Sequence, residues 1–293
     1  MTVLFGVDHS PWTQAAVLAH AAEGINVGLR PYPSVRYYLQ YGLVMPVCWG
    51  TDGTETADSL AIMGTLLPPT DAQQRASLEA DFRELESLFL AYALDRTGPG
   101  RRLRFIQGWA AMTDAPLTPV SIALRALLCW HFFILIEAGR FMLRKRQSRR
   151  TPAERLTDRL SPWVTRLEEE PFLGGDTPNA SDFGLLGHLE CMSTGLTDWA
   201  MATASEHPPL MAWLKRMHQR IEHHPTVYSR RMIDPNAGPD GPSDRAQAWF
   251  LLCMALWVVA WPLSFVLLTY ASSRRQGAPN RTGGRLEAQQ YRR

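Results

Sequence analysis

The spacing of apolar residues changes near residue 70. Residues 1–67 contain the apolar runs "VLFGV", "INVGLR" and "VMPVCWG", and helical patterns lie between and after them at 11–23 and 58–66. Strands that alternate with helices are typical of an α/β unit. From Asp71 to Arg231 apolar residues recur at helical spacing instead, which predicts an all-helical unit. Its first helix would bury one face, formed by Leu78, Phe82, Leu85, Leu88 and Phe89.

A third pattern begins at Ala246, where the run "AQAWFLLCMALWVVAWPLSFVLLTYASS" carries no charge. A membrane-spanning helix needs about 20 apolar residues, and Trp249 and Tyr270 lie where the two lipid–water interfaces would be. Pro262 is tolerated better in a membrane helix than in a soluble one. We therefore predict a single transmembrane helix, and the alternative is a buried core helix.

These patterns divide the chain into five parts. We predict an α/β domain at 1–67 and an all-helical domain at 71–232, joined by "PPTD". The Pro-, Gly- and Asp-rich segment 233–245 is typical of a flexible tether. The transmembrane helix follows at 246–271, and a basic tail at 272–293.

Composition narrows the possible partners. A formal net charge of +2 gives no reason to expect nucleic acid binding. The four cysteines are widely separated and form neither a CxxC pair nor a zinc-binding spacing, so we expect no metal site. The cluster "RFMLRKRQSRR" at 140–150 could contact anionic lipid or form a solvated loop.

Five short motifs follow one another in order. "SPWTQAAVLA" opens the first helix, "VMPV" precedes the third strand, and "ADSLAI" begins the next helix. "PFLGGDTPNASDFGLLGHL" and "HPPLMAWLKRM" lie in the helical part. Together they resemble the glutathione S-transferase superfamily over about residues 3–232. The resemblance implies a thioredoxin-like domain followed by an all-α domain, with glutathione as co-substrate and a homodimer as a possible assembly.

The resemblance also implies a set of site residues. Ser10 occupies the position from which relatives hydrogen-bond the glutathione thiolate, and it is our candidate catalytic residue. Met45 and Pro46 would form a cis peptide whose backbone pairs with the tripeptide. Asp58 and Ser59 begin a helix whose free N–H groups favour the γ-glutamyl carboxylate. The alternatives are that Ser10 is only an N-cap before Pro11, and that Asp58 and Ser59 only cap their helix.

Several residues limit the chemistry. A serine hydroxyl cannot form the mixed disulfide of thiol exchange, so redox work through Ser10 is not expected. Relatives often carry a cation shortly after this motif, whereas this chain has Gln14, Ala15 and Ala16. Cys48 is interpreted as a core residue. His9 could assist thiol deprotonation or be a plain loop residue.

These observations give one principal hypothesis of function. A membrane-anchored glutathione transferase-like protein would conjugate glutathione to apolar electrophiles, with its N-terminal domain in the cytoplasm and its anchor in contact with lipid. The alternative is a non-catalytic binding or scaffold protein at a membrane, as in the metaxins. Asn179 and Asp182, three residues apart, are expected to cap a helix reciprocally and to serve the fold alone.

Overall fold

The computed structural model describes residues 2–6, 10–31, 35–42, 46–94, 106, 109–110, 118–144, 151–193, 197–221 and 244–277. The strands are β1 (Thr2–Gly6), β2 (Val27–Pro31), β3 (Val47–Trp49) and β4 (Glu55–Ala57). The N-terminal helices are α1 (Pro11–Ala22), α2 (Val35–Tyr41) and α3 (Ser59–Leu66). The later helices are α4 (Ala72–Leu94), α5 (Pro119–Arg144), α6 (Pro152–Glu169), α7 (Ala180–Met192), α8 (Asp198–Ala204), α9 (Pro208–Ile221), α10 (Asp244–Val259) and α11 (Trp261–Gly277).

The four strands form one mixed sheet in the order β2-β1-β3-β4. β1 runs parallel to β2 and antiparallel to β3, and β3 pairs antiparallel with β4. With α1 as the crossover between β1 and β2, this is a thioredoxin-like arrangement, and the α/β part of the predicted fold class is confirmed. The sequence patterns missed α2, which has only seven residues, and β4, whose residues "ETA" form no apolar run.

The helical part follows the sheet as predicted. Within 71–221 the described residues form helices and one isolated bridge between Phe172 and Gly175. The predicted inner face of α4 is buried at Leu78, Phe82, Leu85 and Leu88, while Phe89 is partly buried. These side chains share one apolar cluster with α1, α6, α7 and α9. The exact domain limits stay predictions.

Close packing of α1 on α7 fixes the start of α1. A Cβ at Gly187 of α7 would overlap the carbonyl oxygen of Pro11, so only glycine permits this approach. The capping box predicted for α7 is present: Asn179 accepts from Ser181 N and Asp182 N, and Asp182 accepts from Asn179 N. The helical domain therefore holds the first turn of α1 in place.

The prediction of a single transmembrane helix at 246–271 is wrong as to its continuity. The segment forms two helices, α10 and α11, whose axes are bent by 94° around Ala260. Pro262 supplies the reason, because proline lacks an N–H and its ring clashes with the carbonyl four residues earlier. Among the described residues no single helix has the length and apolar composition to cross a membrane, although the bent pair taken together does.

The bent pair belongs to the folded core on its inner side. Five of its side chains are buried with α2 and α5 in a second apolar cluster, namely Phe250, Cys253, Met254, Leu268 and Ala271. The predicted tether, 233–245, lies outside the described residues except for Asp244 and Arg245, which begin α10. The tail beyond Gly277 also lies outside them.

Candidate functional site

A cleft of about 250 Å³ lies where the first turns of α1 and α3 face α4. It is lined by Trp12 of α1, by Asp58, Ser59 and Leu60 at the start of α3, and by Glu79, Phe82, Arg83 and Glu86 of α4. The cleft therefore joins the thioredoxin-like part to the first helix of the helical part.

The start of α3 has an unusual backbone. Asp58 has a φ of 89°, and among the described residues it is the one non-glycine with a positive φ. Its carboxylate accepts from Leu60 N at 2.9 Å, so it caps the helix as the sequence predicts. An ordinary N-cap has an extended backbone, whereas this conformation costs about 1–3 kcal/mol and such residues cluster at functional sites. Capping alone does not account for the strain.

Pro46 is tied directly to this turn. Its carbonyl oxygen accepts from Asp58 N at 3.0 Å, so the residue before β3 and the residue before α3 are held together. Both edges of β3 are already paired, to β1 and to β4. A ligand backbone would have to pair before Pro46, at Met45, which lies outside the described residues. The predicted cis peptide therefore stays a prediction.

Ser10 lies at the N-cap of α1, half-buried, two residues before Trp12. Its main chain begins the helix, because its carbonyl accepts from Gln14 N at 3.0 Å. Its side chain makes no capping hydrogen bond, although the backbone is extended and Pro11 follows at the first helical position. The hydroxyl is therefore not engaged in the role that the simpler interpretation gives it. Ser10 adjoins the cleft without lining it, and His9 lies outside the described residues.

The sequence analysis missed the aromatic wall of the cleft. The Trp12 ring stacks on Phe82 at a centroid distance of 5.7 Å and meets the edge of His188 at 4.6 Å. His188 is fully buried on α7, and burial lowers its pKa to about 4, so the ring is neutral. The tryptophan two residues after Ser10 was the available signal.

Charged residues on α4 were missed as well. Glu79, Arg83 and Glu86 recur at spacings of four and three, which places them on one side of a helix. They border the apolar face that the sequence analysis assigned to the core. Their side chains give the cleft both negative and positive charge, opposite the start of α3.

Cys48 is a core residue, as predicted. Its thiol is buried in β3, and its Sγ lies 4.0 Å from Nε2 of His20. Burial, with a smaller contribution from Asp52, raises the pKa of Cys48 to about 11, and burial lowers the pKa of His20. Both groups are neutral at physiological pH, so this pair does not supply a thiolate.

No group of three or more metal-ligating side chains occurs among the described residues. The four cysteines, which are all described, are buried and form no disulfide with one another. Of the basic cluster, residues 140–144 extend α5 and 145–150 lie outside the described residues. Its role stays open between a lipid contact and a solvated loop.

The chain has structural similarity to solved glutathione transferases. Gtt2 from Saccharomyces cerevisiae is 16% identical, with 75% of this chain and 98% of that chain covered and a TM-score of 0.48. A delta-class glutathione transferase from Nilaparvata lugens is 15% identical, with 86% and 100% covered and a TM-score of 0.49. A glutathione S-transferase from Methylobacillus flagellatus KT, solved with GSH bound, is 14% identical, with 76% and 98% covered and a TM-score of 0.48. No protein-family model and no curated protein matches the sequence.

Proposed function

We propose that the chain is a glutathione transferase-like protein and that the cleft binds the γ-glutamyl end of glutathione. The observation that carries this proposal is the start of α3, where strained Asp58 and buried Ser59 line a cleft that α1 and α4 complete. The first N–H groups of a helix have no partner within that helix, and the helix dipole favours an anion there. A ligand carboxylate matches this end of the cleft.

The α4 side of the cleft suits the positive charge of the γ-glutamyl group. The γ-glutamyl residue carries an ammonium beside its carboxylate, and Glu79 and Glu86 line the wall opposite α3. We propose that these two carboxylates bind the ammonium and that Arg83 favours the carboxylates of the tripeptide. Charge of both signs in one cleft would then select a zwitterion over a simple anion.

The proposed reaction is a conjugation. The glutathione thiol loses its proton to solvent water, the resulting thiolate attacks an electrophilic carbon, and a carbon–sulfur bond forms as the leaving group departs with its electron pair. Ser10 would donate its hydroxyl hydrogen to the thiolate sulfur and so lower the pKa of the bound thiol. The absence of a capping hydrogen bond from the Ser10 side chain supports this role, and the aromatic wall formed by Trp12 and Phe82 supports an apolar electrophile.

Calorimetric titration of glutathione into the full chain tests the proposal. We expect binding by glutathione and much weaker binding by cysteinylglycine, which lacks the γ-glutamyl group. Ser59→Ala together with Glu79→Gln should weaken glutathione binding at least tenfold, while the exposed control substitution Glu84→Gln on the same helix should leave it unchanged. Equal affinity for both peptides would contradict the proposed site.

Turnover separates the transferase from a scaffold protein. Glutathione binding with no conjugation of any apolar electrophile would favour the non-catalytic alternative. Homodimerisation and a cytoplasmic N-terminal domain stay predictions. The mass of the purified protein would test the first, and protease protection in intact cells would test the second.

A further inference from the structure

The outer face of α10 and α11 is strongly apolar. Of the sixteen large apolar side chains that the described part of the chain exposes, ten lie on this pair. The most exposed flank the bend, with Val259 at 80% and Trp261 at 62%. Exposed apolar patches of this kind mark interaction sites. The remaining eight are Trp249, Leu251, Leu252, Leu256, Val258, Leu263, Phe265 and Val266.

Hydrogen bonds hold the inner face of the pair on the protein. Trp257 Nε1 donates to the Ala123 carbonyl at 2.9 Å, and the Tyr270 hydroxyl donates to the Leu39 carbonyl at 2.9 Å. The Tyr38 hydroxyl of α2 donates to the Leu267 carbonyl at 3.1 Å. Straightening the pair into one span would break these bonds and expose buried side chains such as Phe250. The bent form is therefore integral to the fold.

The described hydroxyl groups of the pair are already hydrogen-bonded within the protein. Its hydroxyls at Ser264, Thr269 and Ser273 donate to main-chain carbonyls within α11, and that of Tyr270 donates to α2. A protein interface typically contains about one hydrogen bond per 100–200 Å². Hydrocarbon requires the opposite, since polar groups there must be satisfied internally. The surface therefore matches lipid better than a protein partner.

The length and charge of the pair indicate whether it would cross a bilayer or lie on one leaflet. α10 has 16 residues and α11 has 17, so each measures about 25 Å, less than the ~30 Å hydrocarbon core of a bilayer. No charged residue lies between Arg245 and Arg274 in the sequence. At one end Arg245 stands next to Asp244, whereas Arg274 and Arg275 give the other end a net positive charge, which favours anionic headgroups.

We propose that the outer face of α10 and α11 docks the protein onto one leaflet of an anionic bilayer without crossing it. The bend inserts Val259 and Trp261 among the acyl chains, and the end of the pair that carries Arg274 and Arg275 in the sequence lies at the headgroups. The proposal is independent of glutathione binding.

Vesicle flotation tests this docking. The full chain, with an epitope tag after Arg293, is added from outside to phosphatidylcholine vesicles with and without phosphatidylglycerol. We expect the protein to float with the vesicles, and more of it with the anionic ones. Leu252→Glu with Leu256→Glu, at side chains 48% and 55% exposed, should reduce vesicle partitioning at least about tenfold.

A matched control uses apolar residues elsewhere. Leu29→Glu with Leu90→Glu, at side chains 40% and 49% exposed, should leave partitioning within about twofold. Equal loss in both double variants, or a wild-type chain that does not float, would overturn the proposal. A stable dimer without vesicle binding would assign the face to a second copy, and a tag protected from external protease would assign it to a span. A tag cleaved on vesicle-bound protein supports docking on one leaflet.

Discussion

Two helix starts share a sequence pattern but differ in structure. Ser10–Pro11 begins α1 and Thr151–Pro152 begins α6, each with a hydroxyl residue at the N-cap and proline at the first helical position. The Thr151 hydroxyl accepts from Glu154 N at 3.3 Å and takes part in a capping box, whereas the Ser10 hydroxyl caps nothing. The identity of the cap residue alone does not reveal its role.

The same contrast separates two other starts. Asn179 has a φ of −119° and caps α7 reciprocally with Asp182, while Asp58 has a φ of 89° and caps α3, with Ala61 three residues on. The starts of α6 and α7 each hold a complete capping box and stabilise the fold. The starts of α1 and α3 adjoin one cleft. At α1 the Ser10 hydroxyl makes no capping hydrogen bond, and at α3 the backbone of Asp58 is strained. These two departures from ordinary capping coincide with the proposed binding site.

The largest expected effect lies on the structural side, at Asp182. Its buried carboxylate accepts from the N–H groups of Leu173, Gly174 and Asn179 and from Trp213 Nε1. Asp182→Ala would leave these donors without their acceptor and should lower the free energy of unfolding by about 3 kcal/mol or more. Urea denaturation measures this, with the exposed Asp176→Ala as the control. A loss no larger than the control's would refute the structural role.

Alanine substitution at Ser10 and at Thr151 should have opposite effects on turnover and stability, which tests the comparison directly. Ser10→Ala should reduce turnover by about 10²-fold and raise the pKa of bound glutathione thiol toward about 8.5. Because its hydroxyl caps nothing, stability should change by less than about 0.5 kcal/mol. Thr151→Ala should do the reverse, with about 1 kcal/mol lost and turnover unchanged.

In both variants, ultraviolet titration of the bound thiolate measures the pKa of the glutathione thiol, and thermal unfolding measures the stability of the fold. Ser10→Ala with an unchanged thiol pKa and a lowered melting temperature would make Ser10 an ordinary N-cap. The opposite pattern would assign Ser10 to the reaction and Thr151 to the fold.

Asp58→Gly should separate stability from binding at α3. Glycine adopts a positive φ without strain, and replacing an acidic N-cap by glycine costs only a few tenths of a kcal/mol. We therefore expect unfolding free energy to rise by up to about 1 kcal/mol. Glutathione affinity should fall, because the carboxylate that orders the first turn is lost. Denaturation and calorimetry on the same variant measure both; a destabilised variant with full affinity would contradict us.

The smallest effect concerns the far end of α7. His218 of α9 lies 2.5 Å from the Glu190 carboxylate, and this hydrogen bond raises the pKa of His218. The interaction of protonated His218 with Glu190 therefore contributes its full stabilisation below about pH 6.5, and this contribution disappears as the pH rises through the folded-state pKa. His218 is half-exposed, so the contribution should stay below about 1 kcal/mol.

Unfolding of His218→Gln compared with the unaltered protein, repeated across neutral pH, measures this dependence. The stability difference should shrink as the pH rises. A difference that grows instead would mean that the ion pair does not stabilise α7 against α9.

Local sequence already determined much of the fold. The alternation of strand and helix patterns predicted β1, α1, β2, β3 and α3, and the spacing of Asn179 and Asp182 predicted the cap of α7. Such features depend on residues only a few positions apart. The difference between the helix starts was also visible there, since Glu154 and Asp182 follow their caps by three residues, whereas Thr13 and Ala61 follow Ser10 and Asp58.

Tertiary structure decided the rest. The cleft needs α4 opposite α3, so no local pattern could show that Glu79, Arg83 and Glu86 face Asp58 and Ser59. An uncharged run of residues is compatible with both a membrane span and a core helix, because the hydropathy of the run does not depend on what each side of the helix contacts. Packing against α2 and α5 buried one face of that run, the break beside Pro262 bent it, and the other face was left exposed.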